Sequence, residues 1–194
     1  MTYSIGTIIY WIIILLIFIV FLLVLKKLNV KNKKLGIFIF LIIAYVIYMV
    51  LSLFNIDNFF MTFATPEKAF KYQYNKKIDR VIDGKNTSLV ISKDDAIYVY
   101  PKYNNSYKLP TGIITKVKQA YSDGVEIQIL TYKNSGDYYA IISSTNQNFK
   151  HISDNISSEF YERKFYDINE YYAYLKGYSS NYSVVLDDKV IMIK

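Results

Sequence analysis

Two long uncharged runs, separated by a short lysine-rich segment, place the strongest constraint on the fold of this chain. Residues 8–25 and 35–54 contain no Asp, Glu, Lys or Arg, and the first run is almost entirely Ile, Leu, Val and Phe. As helices rising about 1.5 Å per residue, the runs would extend about 27 and 30 Å, close to the thickness of a bilayer's hydrocarbon core. The sequence therefore predicts a two-helix transmembrane hairpin over residues 1–54.

The segment 26–34, KKLNVKNKK, predicts the orientation of this hairpin. Short lysine-rich loops remain in the cytoplasm, where anionic lipids attract them. The N-terminus and the C-terminal domain are then both expected outside a bacterial cytoplasmic membrane, in a multi-pass protein with the lipid bilayer as a partner. The predicted topology-determining residues are the five lysines of the loop: Lys26, Lys27, Lys31, Lys33 and Lys34.

The distribution of charge argues against nucleic acid as a partner. The chain has 23 Lys and Arg and 16 Asp and Glu, for a net charge of +7. Five of the cations lie in the loop and every acid lies after it, so the rest of the chain carries only +2 (18 − 16). A nucleic-acid-binding domain would show a basic stripe, which this balance does not provide. The absence of cysteine fits an exported bacterial domain without disulfides.

After a juxtamembrane linker at 55–64, residues 65–194 read as a small extracytoplasmic domain of the α+β or mainly β class. Thr65 is a suitable N-cap and Pro66 suits the first helical position, which predicts one short helix at about 66–76. Beyond it, turn dipeptides separate alternating segments such as 88–92 and 125–130, a pattern typical of strands. The segment 157–166 fits a helix or a strand, and the sequence leaves that choice open.

Parts of this domain resemble known proteins. TPEKAFKY, VIDGKNTSLVI and YPK, within about 63–103, resemble the start of exported domains in uncharacterised Gram-positive membrane proteins and lipoproteins. That family has no established activity. The resemblance implies an exported location and a small β-rich fold, and it assigns no catalytic residue.

The sequence offers no convincing catalytic, cofactor or metal site, and we expect no enzyme activity. His151 is the only histidine and lies in a polar stretch, so a His/Cys zinc site has too few ligands. DGKNTS at 83–88 lacks the glycine spacing of a phosphate-binding loop and is read as a hairpin turn. The adjacent carboxylates Asp94-Asp95 and Asp187-Asp188 are read as turn formers, because neighbours on a strand point to opposite faces.

Tyrosine is the remaining candidate for function, with 21 residues in the chain. Exposed aromatic rows bind glycans or peptides, although tyrosine also suits an ordinary half-buried sheet. The candidates for partner contact are Tyr161, Tyr166, Tyr171, Tyr172 and Tyr174. The first functional hypothesis is a membrane-anchored extracytoplasmic binding module for an envelope component or a membrane protein. The alternative is an accessory, regulatory or immunity-type subunit of a membrane complex.

Overall fold

The computed structural model of the chain describes residues 5–27, 33–52, 57–145 and 147–193. The chain divides into two compact units, residues 1–62 and 63–194.

The first unit is helical in its described residues. Helix α1 is Ile5–Lys27, α2 is Lys33–Ser52 and α3 is the single turn Asp57–Phe60. Helices α1 and α2 pack against each other through aromatic rings, because Phe40 lies 4.8 Å from Phe18 and 5.2 Å from Phe21, measured between ring centroids. Of the predicted topology residues, Lys26 and Lys27 end α1, Lys33 and Lys34 begin α2, and Lys31 lies outside the described residues.

The predicted transmembrane hairpin requires correction. Among the residues that the structure describes, no helix is both long enough and apolar enough to cross a membrane. This finding contradicts the spans at 8–25 and 35–54, the fold class that includes them, and the multi-pass localisation in a bacterial cytoplasmic membrane.

The second unit contains three antiparallel sheets in its described residues. The first sheet has the strand order β1-β2-β3-β4, and the central sheet has the order β5-β6-β7-β10-β9. The third sheet has the order β12-β11-β8. The strands are β1 Ile78–Asp83, β2 Thr87–Ser92, β3 Ile97–Tyr103, β4 Ser106–Tyr107, β5 Ile114–Ser122, β6 Val125–Tyr132, β7 Tyr138–Thr145, β8 Ile152–Asp154, β9 Tyr161–Phe165, β10 Ile168–Tyr174, β11 Ser183–Leu186 and β12 Lys189–Met192.

The central sheet is buried on both faces, which makes the unit a layered β-structure. On one face, here called the β11 side, Ile127, Ile142 and Ala173 pack against Val184 and other residues of the third sheet. On the opposite face, here called the β2 side, the packing residues of the two sheets are Leu89, Ile91, Val99, Leu130, Tyr132, Tyr139, Ile141 and Tyr172. Alternate residues of each central strand therefore serve two different cores.

The predicted short helix is found at Pro66–Gln73 and is named α4. The Thr65 side chain accepts a hydrogen bond from the Lys68 backbone N–H, which satisfies one of the otherwise unpaired amides of the first turn. Helix α4 covers the outer face of the first sheet: the Phe70 ring lies 5.2 Å from that of Tyr98, and the Tyr100 hydroxyl donates to Gln73. The undecided segment 157–166 contains β9, so the strand alternative is correct for residues 161–165.

Candidate functional site

The surface of the second unit has a groove of about 590 Å³ beside the edges of two sheets. It is called the β1–β9 groove here, because β1 is the outer strand of the first sheet and β9 the outer strand of the central sheet. The residues that line it are Arg80, Val81, Ile82, Asp83, Ile156, Ser157, Ser158, Glu159, Phe160, Tyr161, Glu162, Tyr172, Tyr174 and Lys176. Two strand edges thus border one open cavity.

Strand β1 presents backbone groups to this groove. Its ladder to β2 pairs Ile82 with Leu89 and Val81 with Val90, and the Gly84 N–H bonds the Thr87 carbonyl at the hairpin end. Antiparallel pairs alternate between bonded and non-bonded positions, so the N–H and C=O of Val81 and Asp83 point away from β2. Within the described residues, β1 forms a ladder with no other strand.

Three tyrosines on the β2 side line the inner part of the groove. Tyr172 is fully buried and its hydroxyl donates to Glu170 at 2.8 Å. Burial and this neighbouring carboxylate raise the pKa of the Tyr172 phenol. The Tyr161 hydroxyl donates to Asp79 at 3.0 Å, and the Tyr174 hydroxyl donates to Asp137 at 3.1 Å. The three hydroxyls are therefore occupied, and the half-buried rings of Tyr161 and Tyr174 supply an apolar surface.

The structure separates the five predicted contact tyrosines. Tyr161, Tyr172 and Tyr174 line the β1–β9 groove. Tyr171 is only 3% exposed and packs into the core on the β11 side, because it alternates with Tyr172 along β10. Tyr166 is 82% exposed in the turn between β9 and β10, where its φ is +53°.

A buried charged group lies between the first and central sheets, and it is called the Arg163 cluster here. Arg163 has a side chain that is 6% exposed, and its guanidinium lies 3.7 Å from Asp79, 3.3 Å from Asp95 and 3.7 Å from Glu170. A bulge in β1 between Ile78 and Arg80 places Asp79 out of register with β2, which turns its carboxylate toward the guanidinium. One cation therefore joins β1, the β2–β3 turn and β10.

The Glu170 carboxyl differs from an ordinary exposed glutamate. Its desolvation is the main cause that raises its pKa, and repulsion from Asp95 adds to this, while the Tyr172 hydroxyl and Arg163 oppose it. A raised carboxyl pKa is one mark of a catalytic acid. Glu170 is not among the residues that line the β1–β9 groove, so this carboxyl has no access to a substrate bound there.

The DGKNTS segment is a hairpin turn, as predicted, and its amides enclose an anion from the same chain. The Asp137 carboxylate accepts hydrogen bonds from the backbone N–H groups of Asn86 at 2.6 Å and Thr87 at 2.7 Å. It also accepts from the Lys85 N–H at 3.3 Å and the Thr87 hydroxyl at 2.9 Å. A Cβ on Gly84 would lie 2.7 Å from Asp137 Oδ2, so only glycine fits against this carboxylate. These hydrogen bonds connect the turn to the residue that directly precedes β7.

The other polar residues singled out in the sequence occupy surface turns. His151 is exposed before β8, and its backbone N–H donates to the Asp187 carboxylate at 2.9 Å. Asp95 and Asp187 have φ values of +67° and +52°. Such values are expected of turn residues, although Asp95 also pairs with Arg163. Among the described residues, no group of three His, Cys, Asp or Glu side chains has an arrangement that would hold a metal ion.

Sequence reasoning missed Asp137 and Arg163. Each looked like an unremarkable polar residue, because their partners lie far away in the chain: 50 residues separate Asp137 from Thr87, and 68 separate Arg163 from Asp95. The only local signal was Arg163 itself, a charged residue on the same strand face as Tyr161.

Comparison with protein-family models, with curated proteins and with solved structures finds no match to this chain. The resemblance to exported Gram-positive domains stays a prediction from sequence.

Proposed function

We propose that residues 63–194 act as a non-enzymatic binding module that takes up an extended peptide segment of a protein partner in the β1–β9 groove. The peptide adds to β1 as a further antiparallel strand. The main support for this proposal is that the outer edge of β1, with its backbone N–H and C=O groups, borders a cavity of about 590 Å³.

Backbone pairing supports this proposal, because the Val81 and Asp83 amides and carbonyls have no ladder partner within the described residues. An extended peptide satisfies such groups in pairs, which provides affinity without depending on the peptide's sequence. The half-buried rings of Tyr161 and Tyr174 provide rigid surface for alternate side chains of the bound strand.

The Ser158 hydroxyl is a second supporting feature. Its oxygen is shielded from solvent and has no hydrogen-bond partner in the described residues, yet the residue lines the groove. A buried hydroxyl without a partner costs about 1–3 kcal/mol, and a ligand that bonds it recovers part of that cost.

The experiment measures binding of end-blocked, fluorescein-labelled octapeptides to the full chain by fluorescence anisotropy. In each peptide Thr, which favours an extended conformation, alternates with Val, Asn, Asp or Lys. We expect saturable binding of at least one peptide. N-methylation of every second amide abolishes that binding in one register and leaves it intact in the other, because only alternate amides face β1.

Val81→Pro removes one outward N–H of β1 and is the matching change in the protein. Proline is tolerated on an edge strand where the N–H faces away from the ladder, so the fold is expected to remain and the binding to fall. Ile114→Pro at the start of β5, the other edge of the central sheet, is the control and leaves peptide affinity unchanged. If none of the peptides binds, or if both N-methylated registers bind equally, strand addition at β1 is refuted.

A further inference from the structure

We propose that the β1–β9 groove selects peptides that carry carboxylate side chains, and that Arg80 and Lys176 receive those carboxylates. This inference rests on the proposed function and adds the chemical class of the ligand to it.

Arg80 is oriented to bind an anion. Its guanidinium lies 4.1 Å from the centre of the Tyr161 ring, and among the described residues no carboxylate lies within salt-bridge distance of it. A guanidinium stacked on an aromatic face keeps its in-plane N–H donors available, and those donors match a carboxylate in a bidentate pair. The Tyr161 ring therefore positions the cation and leaves its donors for a ligand.

Lys176 is a second cation on the same groove. It follows β10 two residues after Tyr174, is exposed, and has no salt bridge to any acid in the described part of the chain. The two cations come from different walls, Arg80 from β1 and Lys176 from the end of β10. Because both residues line the groove, we expect a strand bound in it to lie near both cations.

The carboxylates of the groove do not balance these cations. Asp83 is already engaged, because it accepts from the Ser88 and Tyr107 hydroxyls and lies 3.8 Å from the Lys102 ammonium. Glu162 pairs directly with Tyr171, which places its side chain on the β11 side of the strand. Of the three acids that line the groove, only Glu159 has neither a salt bridge among the described residues nor a side chain directed to the β11 side. One such carboxylate against two cations favours an acidic ligand.

The test compares the Asp, Asn and Lys octapeptides on the full chain at low salt. A solvent-exposed ion pair changes affinity by about threefold, so two pairs give roughly a tenfold preference for the Asp peptide over the Asn peptide. The preference is expected to shrink as salt is raised toward about 1 M, because screening weakens exposed pairs. The Lys peptide is expected to bind most weakly.

Charge-removing variants assign the preference to particular residues. Arg80→Gln and Lys176→Gln each reduce the Asp-over-Asn ratio by about threefold, and Arg80→Lys restores part of it. Lys164→Gln is the matched control: it removes the same charge from β9, but Lys164 lies opposite Asn169 on the β11 side, so the ratio is unchanged.

The outcomes separate the two proposals. Equal binding of the Asp and Asn peptides overturns the acidic preference and leaves strand addition standing. A preference that survives both Arg80→Gln and Lys176→Gln overturns the assignment to these residues. If no peptide binds at all, both proposals fail.

Discussion

The two faces of the central sheet both bury side chains but use different chemistry. The β11 side is packed mainly with aliphatic residues such as Ile127, Ile129 and Ile142, all fully buried, although its Tyr182 hydroxyl donates to the Asp154 carboxylate. The β2 side contains tyrosines whose hydroxyls are bonded to carboxylates, together with the buried Arg163 cluster. Apolar packing gives stability without directional requirements, whereas a buried polar network has to satisfy every member. The face that carries this network is also the one that opens into the β1–β9 groove.

The largest expected effect comes from removing the only cation of the Arg163 cluster. Arg163→Met keeps much of the side-chain volume but leaves Asp79, Asp95 and Glu170 without their common partner. Breaking a buried ion pair in this way costs about 3–5 kcal/mol of unfolding free energy. Urea denaturation of the full chain measures it, and Lys164→Met, at the exposed neighbouring position, is the control with little expected change. A loss below about 1 kcal/mol would show that the carboxylates find other partners or protons.

On the β11 side, loss of packing is the relevant cost. Ile127 occupies a fully buried position in β6. Ile127→Ala removes atoms there and is expected to cost about 3 kcal/mol, whereas Ile127→Val costs about 1 kcal/mol. The ratio of the two losses reports how far this core collapses around the cavity. Urea denaturation measures both variants. If Ile127→Val lost as much unfolding free energy as Ile127→Ala, the cause would be backbone rearrangement instead.

The contrast between the two faces also bears on which parts of the fold could be predicted from the sequence and which could not. The helix at Pro66–Gln73 was predictable because its signals, Thr65 and Pro66, act on adjacent backbone. The alternation of 125–130 correctly indicated a strand, but it implied one buried face, whereas Leu130, Thr131 and Tyr132 are all buried between two sheets. The β1–β9 groove depends on strands that are distant in the chain, and no local pattern encodes their meeting. Local rules therefore locate the strands but not the site between them.

Asp137→Asn tests the polar anchor of the turn at 84–87. In the wild type, backbone N–H groups of the turn donate to both oxygens of the Asp137 carboxylate. The asparagine amide keeps the shape of the side chain, but it lacks the negative charge and places donor hydrogens near these N–H groups. Hydrogen bonds to a charged group are worth about 1.5–3 kcal/mol, which is the expected loss of unfolding free energy. Amide hydrogen exchange at Asn86 and Thr87 should accelerate, whereas the exposed turn variant Asp167→Asn leaves it unchanged. Unchanged exchange in Asp137→Asn would mean that the turn holds without this carboxylate.

The smallest effect at neutral pH is expected from Glu170→Gln, and its value lies in the pH dependence. Because the pKa of Glu170 is raised above its usual 4.5 in the folded chain, the folded state holds this proton more tightly than the unfolded state. The stabilisation is fully present below the unfolded pKa and is lost as pH rises through the folded pKa. The titration of Glu170 therefore lowers the wild-type free energy of unfolding between these two pKa values. Glutamine has no such proton, and Glu162→Gln, at an exposed position on the β11 side, is the matched control. The difference between wild type and Glu170→Gln should therefore shift in favour of the variant as pH rises from below the usual pKa of 4.5 through the raised pKa of the folded chain. Parallel curves for the two proteins would show that the carboxyl of the β2 side titrates like any exposed acid.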